Sequence, residues 1–327
     1  MNQNKNLKTI NILNAEPLGY CAEAGSMLAK LGKVIEKEMS RSQLLNELGN
    51  IDVLIVRLAN QIDRDIIDAG RCLRAIVTAT TGLDHIDIEY AQERGITVLS
   101  LRGETDFLQQ VRATAEHTWA LLLALMRKIV PASIAAQQGN WDRDRFRGQE
   151  LFARRLGVVG LGRLGRKVAR YGQAFGMEVA AFDPFADTWL DDVRREKTLA
   201  ELLKKSDILS LHIPLNTETQ GLIGTTEIAL LPAGAVIVNT SRGQVIDESA
   251  LIKALSNNHL AGAALDVVSG ERDNETHVAS KLLEFAATHD NLLVTPHIGG
   301  ATYESMVKTE MFMAHKLTKF LRSLGEE

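Results

Sequence analysis

Arg242 in VNTSRGQVID, Glu271 in AALDVVSGE and His297 in LLVTPHIGG each stand just past a short apolar run. An arginine offers a planar fork of donors that fits a carboxylate. A histidine suits proton transfer near neutrality, and a carboxylate beside it favours the protonated ring. All three residues come after LGVVGLGRLGRKVARY, where Gly160, Gly162 and Gly165 form a G-x-G-x-x-G loop. A dinucleotide loop followed by Arg, Glu and His is the equipment for moving a hydride to or from a 2-oxo acid. Taken singly, each has an ordinary explanation: Arg242 as a turn cap, Glu271 as one more acid in SGERDNE, His297 as a core histidine. Their shared strand-end placement after the loop is what argues for function, because a doubly wound sheet gathers its ligands there.

The glycine loop alone is a weak signal, and its context strengthens it. Residues 156–160 read as a buried strand and 163–175 as a helix. The first glycine permits the tight turn, the second lets backbone approach a pyrophosphate, and the third lets helix pack on strand. The helix amides then present the positive end of the dipole to phosphate. Asp183 closes the next strand, where a carboxylate accepts from ribose hydroxyls and repels a 2′-phosphate, which favours NAD over NADP. Its alternative is an Asp-Pro turn starter.

These residues need strands and helices to position them. Apolar runs at 9–13, 52–57, 75–80 and 96–100 alternate with amphipathic stretches such as 40–48 and 64–69. A second set at 155–161, 178–183, 207–213, 235–240, 261–267 and 291–296 gives six strands, a complete doubly wound domain. The expected fold is therefore α/β, two doubly wound parallel-sheet (Rossmann-like) domains with a cofactor cleft between them. The expected boundaries are 1–104 plus 298–327 for a substrate domain and 105–297 for an NAD-binding domain. The apolar stripe of Met306, Met311, Met313, Leu317, Phe320 and Leu321 puts the last helix, 302–324, back on the first domain.

The chain has 327 residues, 45% of them hydrophobic and 24% charged, with a formal charge of -4. That balance gives no reason to expect nucleic acid or an anionic membrane as partner. Cys21 and Cys72 lack metal-type spacing, no metal is expected, and free thiols in a reducing cytosol are the expectation. The amino terminus lacks the apolar core of a signal peptide. The run from Trp119 to Val130 is too short to span a bilayer and reads as a buried helix, so a cytoplasmic protein is expected.

In order along the chain, TTGLDHID, AEHTWALLLALMR, GNWDR, GVVGLGRLGRKVA, VNTSRGQVIDESAL, GAALDV and TPHIGGAT resemble the D-isomer-specific 2-hydroxyacid dehydrogenases. The 3-phosphoglycerate dehydrogenase-like branch is the most similar. The resemblance runs from about Ile51 to Thr302. It implies that Arg242 binds the substrate carboxylate and oxo group, that His297 is the acid/base and that Glu271 is its partner. It implies an NAD site lined by Thr81, Arg163, Leu164, Asp183 and Ile213, together with the glycines of the loop. Thr240, Ser241, Asp266, Gly299 and Gly300 complete that site, with Asp266 near the nicotinamide carboxamide. Thr81 and Gly82 belong to a loop whose amides meet the substrate carboxylate, and Arg57 matches an arginine that reaches toward a substrate phosphate. Arg57 could equally be a strand-end surface residue.

The resemblance further implies cleft closure around hydride transfer and a homodimer supported by the helix around Thr114 to Arg127. The substrate would be a small 2-oxo or 2-hydroxy acid such as 3-phosphohydroxypyruvate, hydroxypyruvate or glyoxylate. Two departures stand out: Arg272 replaces the proline that usually follows the glutamate, and the loop after it is long. The chain stops soon after the returning helix, so feedback through a C-terminal regulatory domain is not expected. Two other readings share the fold. A corepressor-type NAD sensor is disfavoured by the intact Arg, Glu and His. Formate dehydrogenases carry glutamine where Glu271 stands.

Overall fold

A computed structural model of the chain describes residues 9–271 and 280–325. The chain divides into two compact units, 1–111 with 302–327, and 112–301.

The first unit is built on β1 (Ile10–Asn14), β2 (Gly32–Glu36), β3 (Val53–Val56), β4 (Ala75–Thr78) and β5 (Thr97–Leu99). Their order is β2-β1-β3-β4-β5, and every pairing is parallel. Both faces are covered, which is why the central strands are apolar throughout rather than alternating. Val53 and Ile55 pack on one face with Met313, Leu317 and Leu321 of the helix Tyr303–Ser323. Leu54 and Val56 pack on the other with Leu44, Ile66 and Ile67. The returning helix thus covers the first sheet, as its stripe implies.

The second unit holds β6 (Arg155–Val159), β7 (Glu178–Phe182), β8 (Arg194–Arg195), β9 (Ile208–Leu211), β10 (Ala235–Asn239), β11 (Leu260–Leu265) and β12 (Leu292–Val294). The order is β12-β11-β10-β9-β6-β7-β8, again parallel. This is the dinucleotide-binding strand order with one strand added. Val158, Val236 and Val238 pack under Trp119, Leu122 and Val168, while Leu209, Leu211 and Ile237 pack under Leu251 and Leu255.

Three sequence expectations change. The unit boundaries fall at 111/112 and 301/302 rather than 104/105 and 297/298. Leu108 and Val111 join the core of the first unit, and Phe107 stacks on Phe312 at 4.1 Å, which holds the connecting segment there. Strands β2 and β8 were not anticipated; both lie at sheet edges, and their residues are charged or half-exposed. The apolar run from Trp119 to Val130 is not one buried helix. The helix Ala113–Met126 ends, Lys128 takes a left-handed φ of 52°, and Ile129–Gln137 starts a new helix with Ile129, Val130 and Ile134 exposed. Among the described residues no single helix is long and apolar enough to cross a membrane.

Candidate active site

The glycine loop follows β6 and leads into the helix Arg163–Ala174. Gly160 has φ 87°, and a Cβ on it would lie 2.6 Å from the His212 carbonyl oxygen. A Cβ on Gly165 would lie 2.0 Å from the Gly160 carbonyl oxygen, so this glycine lets the helix close on the strand. A Cβ on Gly162 would meet nothing within 4 Å. The fold therefore demands glycine at 160 and 165, whereas at 162 it leaves open space through which a ligand can approach backbone. Gly162 caps the helix without any side-chain cap hydrogen bond, so the first-turn amides have no side-chain acceptor from the cap. Burial, and then the charges of Arg112, Arg163 and Arg170, push the Lys167 ammonium below its usual value.

Asp183 ties the loop to the next strand. Its Oδ2 accepts from the Leu161 amide at 2.7 Å and its Oδ1 from the Phe185 amide at 2.9 Å. The second bond is the Asp-Pro turn the sequence suggests, and each oxygen keeps a further lone pair for a ribose hydroxyl. Ile213 is half-buried beside Gly160. Just before it, His212 is half-buried, and burial pushes it down to about 4. It is therefore a neutral histidine, bonded to Ser210 Oγ at 2.8 Å.

The turn after β10 carries Thr240, Ser241 and Arg242. Asn239 shapes it: its Oδ1 accepts from the Ser241 amide and hydroxyl, and its Nδ2 donates to the Arg242 carbonyl at 2.8 Å. The Arg242 guanidinium is half-buried and donates through Nη1 to the Ser241 carbonyl at 2.7 Å. A Cβ on Gly243 would lie 2.1 Å from the Val268 carbonyl carbon. This close approach sets the Arg242 turn directly against the segment that leads to Glu271. Glu248 secures that segment by accepting from the Ser269 amide at 2.6 Å.

His297 sits at φ 53°, in the left-handed region that favours glycine, and such strain in a non-glycine residue commonly marks a functional position. Its Nδ1 lies 2.8 Å from Glu271 Oε1, with both side chains mostly buried. A carboxylate only accepts, so Nδ1 carries hydrogen and Nε2 is left for chemistry. Asp266, at the end of β11, is 1% exposed. Its Oδ1 accepts from Thr295 Oγ1 at 2.6 Å and the Ile298 amide at 2.9 Å, and its Oδ2 accepts from the Gly299 amide at 2.7 Å. The carboxylate expected near a nicotinamide is thus largely spent on the TPHIGG turn. Gly300 is exposed, with open space where a Cβ would stand.

The second unit accordingly gathers Arg242, Glu271 and His297 onto neighbouring strand-end turns. The other three residues lie in the first unit. Thr81 is exposed, and its carbonyl accepts from Arg102 Nε at 3.4 Å; the Gly82 carbonyl accepts from Thr80 at 2.8 Å. Arg57 Nη2 donates to the Glu16 carbonyl at 2.9 Å and the Leu18 carbonyl at 2.7 Å. Arg272 and the residues up to 279 lie outside the described residues, and the rest of the stretch expected as a long loop is largely the helix Lys281–Thr288, which buries Leu282 and Phe285. Sequence reasoning missed Asn239, Gly243, Thr295 and His117. Their only signal was membership of the quoted motifs. Among the described residues no group of three or more His, Cys, Asp or Glu could hold a metal ion.

Two parallel sheets, a dinucleotide-type glycine loop and a His–Glu pair at the strand ends define an α/β protein of the dinucleotide-binding class. The model of the D-isomer specific 2-hydroxyacid dehydrogenase NAD binding domain matches residues 119–299. The chain belongs to the D-isomer-specific 2-hydroxyacid dehydrogenase family and carries that NAD-binding domain. It is 36% identical to a hydroxypyruvate reductase of Thermotoga maritima over 88% of this chain and 91% of that protein. It is 35% identical to a D-3-phosphoglycerate dehydrogenase of Methanocaldococcus jannaschii over 96% of this chain and 58% of that protein. The chain spans little more than half the length of several such phosphoglycerate dehydrogenases, for example 53% of that of Bacillus subtilis. A solved structure of D-lactate dehydrogenase from Aquifex aeolicus, complexed with NAD and lactic acid, superposes with a TM-score of 0.83. It is 28% identical, with 96% of each chain covered.

Proposed function

We propose that this protein interconverts a 2-oxo acid and a D-2-hydroxy acid with NAD as hydride carrier. The observation that carries the proposal is the His297–Glu271 bond of 2.8 Å, in the same unit as an open glycine loop. NAD, when bound, supplies the hydride acceptor or donor. The residues that would hold it are Gly160, Gly162 and the first-turn amides at the phosphates, with Asp183 at the ribose.

The protein's own residues do the rest. Glu271 fixes the His297 ring by accepting from Nδ1, so that Nε2 gives a proton to the developing alkoxide or takes it back in reverse. The Arg242 guanidinium holds the substrate carboxylate and polarises the oxo group. The strained backbone at His297 is held by its amide, which donates to the Asp266 carbonyl at 2.8 Å.

Within this chemistry the acid is small, with 3-phosphohydroxypyruvate, hydroxypyruvate and glyoxylate the leading choices. Arg57 keeps Nε and Nη1 without partners among the described residues, which supports a role in reading a substrate anion. The protein acts in the cytoplasm as a homodimer. The exposed Ile129, Val130 and Ile134 of one helix, with Trp141 at 88% exposure, support self-association.

NADH oxidation by purified protein against a panel of 2-oxo acids tests the activity. Turnover fastest with the phosphorylated acid supports Arg57 as a phosphate arm. Tight NADH binding without turnover of any acid would overturn the dehydrogenase reading in favour of a nucleotide sensor.

A further inference from the structure

The helix Ala113–Met126 brings a second histidine to the acid/base turn. His117 Nε2 lies 3.0 Å from Thr295 Oγ1 and 3.1 Å from Asp266 Oδ1, with its side chain 17% exposed. The Thr295 hydroxyl has one proton and donates it to Asp266 Oδ1 at 2.6 Å. Toward His117 the hydroxyl can therefore only accept, and so can the carboxylate. The network fixes the hydrogen on Nε2, which is shared between the two oxygens.

Asp266 is the hub of the turn. Its backbone carbonyl accepts from the His297 amide, and its carboxylate from the amides of Ile298 and Gly299. Three consecutive residues, starting with the acid/base, thus hang on one side chain and its carbonyl. The packing around it is close: a Cβ on Gly299 would lie 2.8 Å from Asp266 Oδ2, 3.4 Å from His117 Cδ2 and 3.4 Å from Thr114 Cγ2. Thr295, two residues before His297, is bound into the same network.

We infer that His117 is a positioning residue for His297, acting through Asp266 and Thr295 to hold the TPHIGG turn in its left-handed conformation. His117 touches neither His297 nor Glu271 by any hydrogen bond described. Its influence is mechanical: it braces the hub that sets where His297 Nε2 stands. Misplacement of a reacting group by about 1 Å costs roughly 10²-fold in rate, so a brace this close can matter without contacting substrate. The charged and titratable groups of the arrangement are Asp266 facing His117 and Glu271 facing His297.

The inference rests on the dehydrogenase reading, and its test separates the two. His117→Phe keeps the ring and loses the donor; His117→Gln keeps an N–H near the Nε2 position. Expected for His117→Phe is a fall in kcat of roughly 10- to 100-fold. KM should change little, and the titration of His297, followed by NMR of the unliganded protein, should shift. His117→Gln should recover most of both. Thr295→Val, which removes the bridging hydroxyl, should move kcat and the His297 titration in the same direction, and it stands in if His117→Phe fails to fold. If His117→Phe lowers only the melting temperature and leaves kcat and the His297 titration unchanged, His117 is structural and the inference falls. Equal impairment by His117→Gln would also overturn it. Absence of turnover in the unaltered protein would sink the dehydrogenase reading alone, since the NMR titration still reports on positioning.

Discussion

Both units reverse their strand order next to their first strand, between β1 and β3 in one and between β6 and β9 in the other. Such a reversal opens a crevice at the strand ends where ligands bind. The two crevices are finished in opposite ways. In the second unit, the loop after β6 is glycine, and at Gly162 nothing lies within 4 Å of where a side chain would begin. In the first, polar side chains sew the loops together. Arg57 after β3 donates to the carbonyls of Glu16 and Leu18 after β1, and Glu16 accepts in return from the amides of Leu58 and Ala59 at 3.0 and 3.2 Å. The lesson is that topology offers the crevice and local chemistry decides its use. Glycine leaves backbone amides for a nucleotide, while a Glu and an Arg satisfy the loops internally.

The largest effect expected is at the chemistry that only the open side supports. His297→Ala should retain NADH affinity and lose turnover by ~10²–10⁴-fold, measured by fluorescence titration and steady-state kinetics. A variant with near-normal rates would remove His297 as the acid.

Glycine substitutions sharpen the contrast next. Gly162→Ala should fold with an unchanged melting temperature, because its Cβ points into open space, yet weaken NADH by about tenfold, or roughly 1.4 kcal/mol. Gly160→Ala should lose both stability and affinity, since its Cβ would strike backbone at a positive φ. Equal NADH binding by Gly162→Ala would mean that the open space is not the phosphate approach.

On the closed side, Glu16→Ala should cost about 1 kcal/mol of stability by removing the shared acceptor of the part-buried Leu58 and Ala59 amides, read by denaturant unfolding. It should not create a second nucleotide site, so NADH stoichiometry should stay at one per chain. Asp183→Ala should weaken NADH more than NADPH, and an unchanged ratio would take Asp183 out of the ribose site.

The smallest effect concerns Glu310, buried in the first unit with its carboxylate accepting from the Cys21 amide at 2.6 Å. Burial pushes this carboxyl above its ordinary value, against a smaller opposing pull from Cys21 and Arg57. A raised folded value means that stability is fully present below the ordinary carboxylate range and is lost as pH rises through the raised value. Glu310→Gln should therefore melt a few degrees higher than the parent at pH 8, with the gap closing on acidification. A gap that widens toward acid would reverse the assignment.

Much of this molecule could be read from short stretches of chain. The central strands are runs such as AVIVN and VLIV, whose apolar character follows from burial on both faces. The returning helix showed its stripe, and the glycine loop its strand-turn-helix frame. What escaped was weakly patterned: the edge strands β2 and β8, and the break at Lys128 inside an apolar run. The unit boundaries escaped too, because packing of Phe107, Leu108 and Val111 sets them rather than any local signal.

The candidate site divides along the same line. Arg242, Glu271 and His297 were legible because their residue types and strand-end positions are properties of the sequence. Their arrangement was not. The Glu271–His297 bond, the approach of Gly243 to Val268, and the brace of His117 on Asp266 link residues far apart in the chain, the last across 149 positions. Propensity and periodicity act over a few residues, so the sequence by itself determined the elements and the chemical equipment they carry. Which side chains meet depends on strand order, register and crossover, and only the tertiary structure decided that Asp266 supports a turn and that His117 stands behind it.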